Sequence, residues 1–411
     1  MSTARPTLTG GTLVAAAMMV SNIAVYGFSV AAARLLVPAE LGAVTALLGI
    51  LLMGNVVSLG LQAATARRLS VSPEHADEIT SVVLRVMSLA GGTIGLIVAA
   101  STFVLTPALK LDSRWEVVLC GVILVPLTVM GGGAGIAQGT GRWRTLSLIY
   151  VANGVGRLMG GIIALLIHPS ALSAMVGIAI GSLLPVAASL PVMRSHGARP
   201  LTSSRRPFIT ETFHGTHALL AYFVLSSLDA LIARNRFDEH TSGLYAAGLI
   251  LTKAALFAPQ FVSVVLFPDL ARATGRAARR RAVAAVMGIG TVAVLATFAL
   301  QPVALIVVGG DQYGDIQGRL WLFALSGSVL AVVHLLVFDA LARHSHGVTV
   351  LLWIGSVTLV AIAFIVDLDL TDLVVAVTCV ATAIAVVSWF RAAPAPARPR
   401  EPRVQQPDPA P

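Results

Sequence analysis

Charged side chains inside long apolar segments are the features of this sequence best suited to chemistry. Arg157 and Lys253 lie near the middle of two such segments, Asp229 lies toward the end of another, and Arg85 lies close to the start of a fourth. A charged group is costly in hydrocarbon, so it usually faces a cavity or a partner. A cation there could bind phosphate, and a carboxylate could bind sugar hydroxyls or carry a proton. We therefore predict that these four residues bind a substrate.

Each of these side chains also has a structural interpretation. Arg157, one turn after Asn153, could instead bond to carbonyl groups of a neighbouring helix. Lys253 and Asp229 could form an ion pair with each other. Arg85 lies near a membrane surface and could extend its charge to the lipid headgroups. The sequence leaves these alternatives open.

Two of the apolar segments also carry polar residues at intervals of three or four, which places them on one face of a helix. Such a stripe predicts either a wetted surface or hydrogen bonds between helices, and we expect a wetted surface. The first stripe holds Asn22, Tyr26 and Ser29, and the second holds Asn55, Ser58, Gln62 and Thr65. Four members complete the set of predicted substrate-binding residues: Asn22, Tyr26, Asn55 and Gln62.

Composition indicates what kind of protein positions these residues. The chain has 411 residues, of which 56% are hydrophobic and 11% are charged, whereas about 25% of a typical soluble domain is charged. So few charges cannot cover the surface of a soluble protein of this length, which leaves a membrane protein with many spans. The two cysteines, Cys120 and Cys379, lie in apolar runs and offer neither a disulfide framework nor a zinc site.

Twelve apolar windows are long enough to cross a bilayer as helices, which takes about 20 residues each. The sequence therefore predicts an all-α, polytopic membrane protein with about 12 transmembrane helices. We expect two six-helix lobes around a central cleft, at residues 1–193 and 213–390, with a basic linker at 194–212 and a disordered Pro/Ala/Arg-rich tail at 391–411. Spans one to twelve are residues 12–33, 41–66, 81–106, 116–138, 145–167, 171–193, 213–234, 242–267, 282–308, 319–341, 347–366 and 372–390.

The basic residues of the loops predict the orientation of these spans. With the N-terminus in the cytoplasm, most of the 28 Lys and Arg residues fall in cytoplasmic segments, as the positive-inside rule requires. We therefore expect a multi-pass protein of the cytoplasmic membrane with both termini in the cytoplasm. The net charge of +9 then reflects topology, so we expect no nucleic-acid partner and no cofactor or metal.

The two halves of the chain resemble each other where their first spans end. Ala33-Arg34 ends span one before Gly42 opens span two, and Ala233-Arg234 ends span seven before Gly243 opens span eight. Because both halves begin on the same side, such a repeat would be parallel, and spans one and two would face spans seven and eight. We expect Arg34 itself to lie among lipid headgroups.

Several short motifs, in order along the chain, resemble the bacterial polysaccharide biosynthesis, or oligosaccharide flippase, family of the multidrug/oligosaccharidyl-lipid/polysaccharide exporter superfamily. The motifs are residues 33–42 (ARLLVPAELG), 59–64 (LGLQAA), Asp229, 243–247 (GLYAA), 266–270 (LFPDL) and 308–313 (VGGDQY). The resemblance implies a twelve-span, two-lobed flippase that carries an undecaprenyl-pyrophosphate-linked oligosaccharide or polysaccharide repeat unit to the outer leaflet by alternating access. It implies a lipid-linked glycan, membrane lipids and the glycosyltransferases and polymerase of the pathway as partners.

Three other functions compete with this interpretation. A cation-coupled drug antiporter of the same superfamily is expected to carry an acid in the spans of its first lobe, and here only Glu116 stands at the entrance of one. A membrane-embedded glycan polymerase or ligase needs a sizeable outer loop with catalytic groups, whereas the outer loops here are short. A scaffold that transports nothing is the third alternative. We expect a transporter rather than an enzyme.

Overall fold

The computed structural model describes residues 8–194, 206–270, 276–342 and 347–391, with side chains described outside residues 8–9, 206–216, 258–270, 276–278 and 342. Within these ranges the chain forms helices and no strand. A long apolar segment becomes a helix in a bilayer because the helix satisfies its backbone N–H and C=O groups internally, without water. The predicted all-α class is therefore confirmed.

Lobe one is the N-terminal part of the described chain. Span two is interrupted at Asn55 and span six at Ser182, and each helix resumes at the next residue. The Ser182 hydroxyl donates to the carbonyl oxygen of Ala179 at 2.6 Å, a bond that favours a bend in a helix. The helices are α1 (Leu8–Leu35), α2 (Pro38–Gly54), α3 (Val56–Val71), α4 (Ala76–Ala100), α5 (Thr102–Ala108), α6 (Arg114–Gly139), α7 (Trp143–Ile167), α8 (Ala171–Gly181) and α9 (Leu183–Arg194).

Lobe two follows residues 195–205, which lie outside the described residues. Its helices are α10 (Arg206–Arg236), α11 (Glu239–Leu270), α12 (Arg276–Ala299), α13 (Gln301–Val308), α14 (Leu320–Ala342), α15 (Gly347–Ile365) and α16 (Leu370–Arg391), with a 3₁₀ turn at Asp311–Arg319. The carboxylate of Asp238 accepts from the backbone N–H of Thr241 at 3.0 Å and caps the start of α11. Hydrogen bonds from the side chain and backbone of Thr241 lower the pKa of Asp238, so the cap stays ionised.

The helices account for the predicted spans with some differences at the ends. Eleven helical stretches of the described chain are long and apolar enough to cross a membrane. The eighth predicted span corresponds to α11, a helix of 32 residues. Helix α10 begins at Arg206, inside the predicted linker, so the seventh helix starts before the apolar window does. Residues 392–411 of the predicted tail lie outside the described residues.

Three buried apolar clusters show how the lobes are joined. One cluster contains residues of both lobes, such as Leu47 of lobe one and Tyr245 of lobe two. It lies at the end of the molecule that carries the turns at 109–113, 168–170, 237–238 and 309–319, which we call the joined end. A second cluster lies within lobe one, between Leu61 and Met193, and a third lies within lobe two, between Ala218 and Ile384. Both of these occupy the opposite half of the molecule, which we call the separate end.

Candidate functional site

At the joined end, the side chain of Arg234 connects the end of α10 to three backbone carbonyls of lobe one. Its Nε donates to Leu109 at 2.8 Å, its Nη2 donates to Lys110 at 2.7 Å, and its Nη1 donates to Ala39 at 3.0 Å. The side chain is 3% exposed. Since a buried guanidinium must have its donors satisfied, these carbonyls make Arg234 a clamp between the lobes.

Arg34, at the equivalent place in lobe one, reaches in the opposite direction. Its Nη2 donates to the backbone carbonyl of Ile306 in α13 at 3.1 Å. Two contacts run from lobe two to lobe one at the turn after α13. There Gln312 Nε2 donates to the carbonyl oxygen of Ala33 at 2.8 Å, and the Tyr313 hydroxyl donates to the same oxygen at 3.2 Å. Each lobe therefore presents the end of its first helix to the turn that follows the third span of the other, as a parallel repeat predicts.

Four carboxylates surround the Arg234 clamp. Together with Arg234 they line a small cavity of about 20 Å³, and they are Glu40, Asp112, Glu116 and Glu239. Glu40 Oε2 accepts from the backbone N–H of Ala171 at 2.6 Å, whereas Glu116 is 3% exposed and its Oε2 has no hydrogen-bond partner among the described residues. The joined end thus contains a buried, hydrogen-bonded cation in an acidic setting, a site that the sequence did not predict.

Arg157, the first candidate predicted from the sequence, lies inside lobe one. It lines a cavity of about 80 Å³ together with Asn55, Asn153 and Ser182, among apolar residues of α2, α6 and α8. Its guanidinium carbon lies 5.7 Å from the centre of the Phe28 ring. Of the predicted residues, the structure therefore brings Asn55 and Arg157 to one cavity.

Close packing of α7 against span six fixes the position of this arginine. A Cβ atom added at Gly156 would overlap the backbone oxygen of Gly181, and one added at Gly160 would overlap that of Gly177. Glycine at these places lets the two backbones touch, as small residues do between membrane helices. Arg157 follows Gly156 directly, so its backbone is held against span six beside the break at Ser182.

The other candidates of the polar stripes lie elsewhere in lobe one. Gln62 Nε2 donates to Gln138 Oε1 at 2.9 Å and to the Tyr150 hydroxyl at 2.7 Å, so it links spans two, four and five. Asn22 and Tyr26 are partly buried on α1, which packs mainly against α7. Their roles as substrate ligands stay predictions.

Lys253 and Asp229 lie close to each other in lobe two. The Lys253 Nζ donates to the backbone carbonyl of Ser226 at 2.7 Å, and Asp229 Oδ2 accepts from the Tyr245 hydroxyl at 3.3 Å. Asp229 Oδ1 accepts from the backbone N–H of Ala230 at 2.8 Å. The charges of the two side chains attract each other, but in the described chain no contact within 4 Å joins them. The hydrogen bonds of the lysine and the carboxylate go to different groups.

Arg85 is separate from both groups. It is exposed on α4, on the same face as the exposed Leu89 and Leu96, while the opposite face of the helix packs in the core of lobe one. The candidates therefore fall into three places, and no described contact joins those of lobe one to those of lobe two.

An apolar groove runs along lobe two between α12, α14 and α16. Its volume is about 580 Å³, and its walls include Met287, Leu295, Val332 and Val386. Trp389 closes it at the separate end, where its ring lies 4.5 Å from the guanidinium carbon of Arg279. Among the described residues, no group of three or more His, Cys, Asp or Glu side chains could hold a metal ion.

Several solved structures have an architecture similar to that of this chain. The two-lobed fold is shared with an inward-facing multidrug resistance MATE family transporter of the MOP superfamily (TM-score 0.68, 14% identity, covering 91% of this chain and 93% of that one). It is also shared with the lipid II flippase MurJ in an inward closed conformation (TM-score 0.69, 12% identity, 92% and 87% covered). The MATE transporter VcmN of Vibrio cholerae gives a TM-score of 0.64 at 14% identity, with 94% and 96% covered.

These likenesses show the fold, and with the apolar helices they make the chain a multi-pass membrane protein. No curated protein sequence matches the chain. A sequence model of the polysaccharide biosynthesis protein family, however, matches residues 8–274, well over half of the chain. The chain belongs to the polysaccharide biosynthesis protein family.

Proposed function

We propose that this protein is a flippase that moves a lipid-linked glycan across the cytoplasmic membrane by alternating access. The observation that carries the proposal is the arrangement of the apolar cores, with one core shared by both lobes at the joined end and a separate core for each lobe at the other. Such a pair of lobes can rock about a shared contact and expose a site between them to one side at a time. The cargo is an undecaprenyl-pyrophosphate-linked oligosaccharide or polysaccharide repeat unit.

The arginines indicate which end of the molecule faces the cytoplasm. Described basic residues at or next to helix ends of the separate end include Arg67, Arg68, Arg142 and Arg144, and the positive-inside rule assigns such an end to the cytoplasm. Both termini then lie in the cytoplasm, and the joined end faces outward. On this assignment the joined end is closed toward the outside, and the lobes receive cargo from the cytoplasmic leaflet, where glycosyltransferases would supply it. A polymerase would take up the cargo from the outer leaflet.

The groove of lobe two supports a cargo with a lipid tail. It is apolar along its length, with Met287 and Leu295 exposed on its wall. Arg280 and Arg281 are exposed at the end where Trp389 closes it. A prenyl chain fits such a groove while the arginines lie at the level of its phosphate groups, because basic residues at a membrane surface attract anionic heads.

The nearest competing function is cation-coupled export of drugs, as the MATE neighbours are named. That chemistry needs a buried carboxylate to exchange a proton or a sodium ion. The described acid most deeply placed in a span is Asp229 of lobe two, which already accepts two hydrogen bonds. The cavity of lobe one is lined by an arginine instead. The described lining of that cavity thus offers no acid for cation exchange, which favours the lipid-linked cargo over a cation-coupled drug.

The test follows a lipid-linked glycan across the membrane after depletion of the protein. Right-side-out vesicles are treated with periodate, which does not cross the bilayer and oxidises only the glycans of the outer leaflet. We expect the protected fraction to rise severalfold on depletion and to return to normal when the wild-type chain is expressed again.

Two outcomes would contradict the proposal. If glycans reach the outer leaflet at the normal rate in depleted cells that lack any other flippase, the protein is not the transporter. If depletion leaves the glycans unchanged but removes sodium- or proton-dependent efflux of cationic dyes from the same vesicles, the antiporter function replaces it.

A further inference from the structure

The guanidinium charge of Arg157 has no acidic side chain to balance it among the described residues that line its cavity. Among the described residues that line it, Arg157 carries a full charge and none is an Asp or Glu. The Nε of Arg157 is buried and has no hydrogen-bond partner in the described chain. The Oδ1 of Asn55, which also lines the cavity, is buried without a partner in the described chain.

This isolation is energetically costly. Moving an unpaired charge into an apolar interior costs far more than the contact with one aromatic ring recovers. The Phe28 ring, 5.7 Å away, is the aromatic group that the structure places against the guanidinium. A half-buried guanidinium whose Nε has no hydrogen-bond partner in the described chain is stabilised by a counter-ion, and the cavity offers the place for it.

The size of the cavity limits what this counter-ion can be. A volume of about 80 Å³ accommodates a small inorganic anion, since a cavity of roughly 10–15 Å³ on the same measure already holds one water. The remaining polar groups, the amides of Asn55 and Asn153, can each donate to an anion once their side chains are oriented toward it.

We propose that this cavity binds one small monovalent inorganic anion, such as a halide, between Arg157 and the two asparagine amides. The site is distinct from the contact between the lobes, because its lining comes from lobe one alone. Two of its walls are the helix breaks at Asn55 and Ser182, so the anion neutralises Arg157 and braces both interrupted spans. The inference does not depend on the proposed cargo.

Bromide is the probe that tests the proposal directly. Crystals of the full-length wild-type protein grown in bromide are expected to show one anomalous peak within hydrogen-bond distance of the Arg157 guanidinium. The absence of a peak in that cavity overturns the proposal, whatever the behaviour of any variant.

Thermal unfolding gives a second and independent readout. In nanodiscs at constant ionic strength, replacing gluconate by chloride or bromide is expected to raise the Tm of the wild type in a saturable manner, since an ion that binds the folded state stabilises it. Arg157→Gln should lose this dependence. Arg85→Gln, which removes an exposed arginine of the same lobe, should keep it. A halide dependence that persists unchanged in folded Arg157→Gln would also overturn the proposal.

Discussion

Arg34 and Arg234 end the first helices of their respective lobes, and each donates a hydrogen bond to a backbone carbonyl of the other lobe. The two arginines differ in burial and in the number of carbonyls that they reach. Arg234 is buried and reaches three carbonyls, whereas Arg34 is linked to Ile306 by one bond at an exposed position. The closed state of the joined end should therefore depend mainly on Arg234.

Arg234→Ala is expected to open the joined end. It removes the donor that three backbone carbonyls of lobe one share, and a hydrogen bond from a charged group contributes about 1.5–3 kcal/mol. The readout is the rate at which a membrane-impermeant maleimide labels a cysteine placed at the buried Ala43, in a chain whose exposed Cys379 is replaced by serine. We expect an increase of about tenfold or more, which corresponds to 1.4 kcal/mol.

Arg34→Ala is the matched control for this measurement. It removes the same charge at the equivalent position but only one exposed hydrogen bond, so labelling should rise by less than about threefold. Equal effects of the two substitutions would mean that Arg234 is not the main clamp.

Gly243→Ala should also destabilise the closed joined end. A Cβ atom at this position would overlap the backbone of Pro38, at the start of α2 in the other lobe. Backbone cannot yield as a flexible side chain can, so the lobes must separate, at a cost of about 1–3 kcal/mol. Gly288→Ala, on α12 of the same lobe, meets no atom within 4 Å and serves as the control. Unchanged labelling of the Ala43→Cys reporter in Gly243→Ala would contradict the close packing.

A disulfide across the joined end should stop transport. A Cβ atom at Gly42 would lie 2.8 Å from the hydroxyl oxygen of Ser242 in the other lobe, which is compatible with the Cβ–Cβ separation of about 3.5–4.5 Å that a disulfide needs. In Gly42→Cys/Ser242→Cys, oxidation is expected to reduce glycan translocation at least tenfold, and reductant should restore it. The single variants should not respond to oxidant. Full activity of the oxidised double variant would show that the joined end need not open.

Lys253 and Asp229 should behave as a coupled pair although their side chains do not touch. Lys253→Met removes the cation that attracts the buried carboxylate of Asp229, and an unpaired buried charge is destabilising. Adding Asp229→Asn removes that charge as well. The loss of Tm in the double variant is therefore expected to be smaller than the sum of the two single losses. Additive losses would mean that each residue acts alone.

The sequence predicts the fold well because it depends on features that local composition carries. Segments of about 20 apolar residues have no stable alternative to a helix in a bilayer, and the repeated Ala-Arg pairs at Arg34 and Arg234 already indicate where the two halves correspond. The partners of each polar side chain depend on tertiary packing instead. Nothing local to Arg234 distinguishes a buried clamp from a surface residue, and nothing local to Gln62 identifies Gln138 and Tyr150.

The contacts of the joined end have a consequence for how such a protein can diverge. The acceptors that Arg34, Arg234 and Gln312 reach in the opposite lobe are backbone carbonyls, at Ile306, Leu109 and Ala33 for example. A carbonyl is present whatever side chain its residue carries, so mutations at the acceptor positions leave the contact intact. Substitutions in these turns can therefore accumulate while the pivot between the lobes persists.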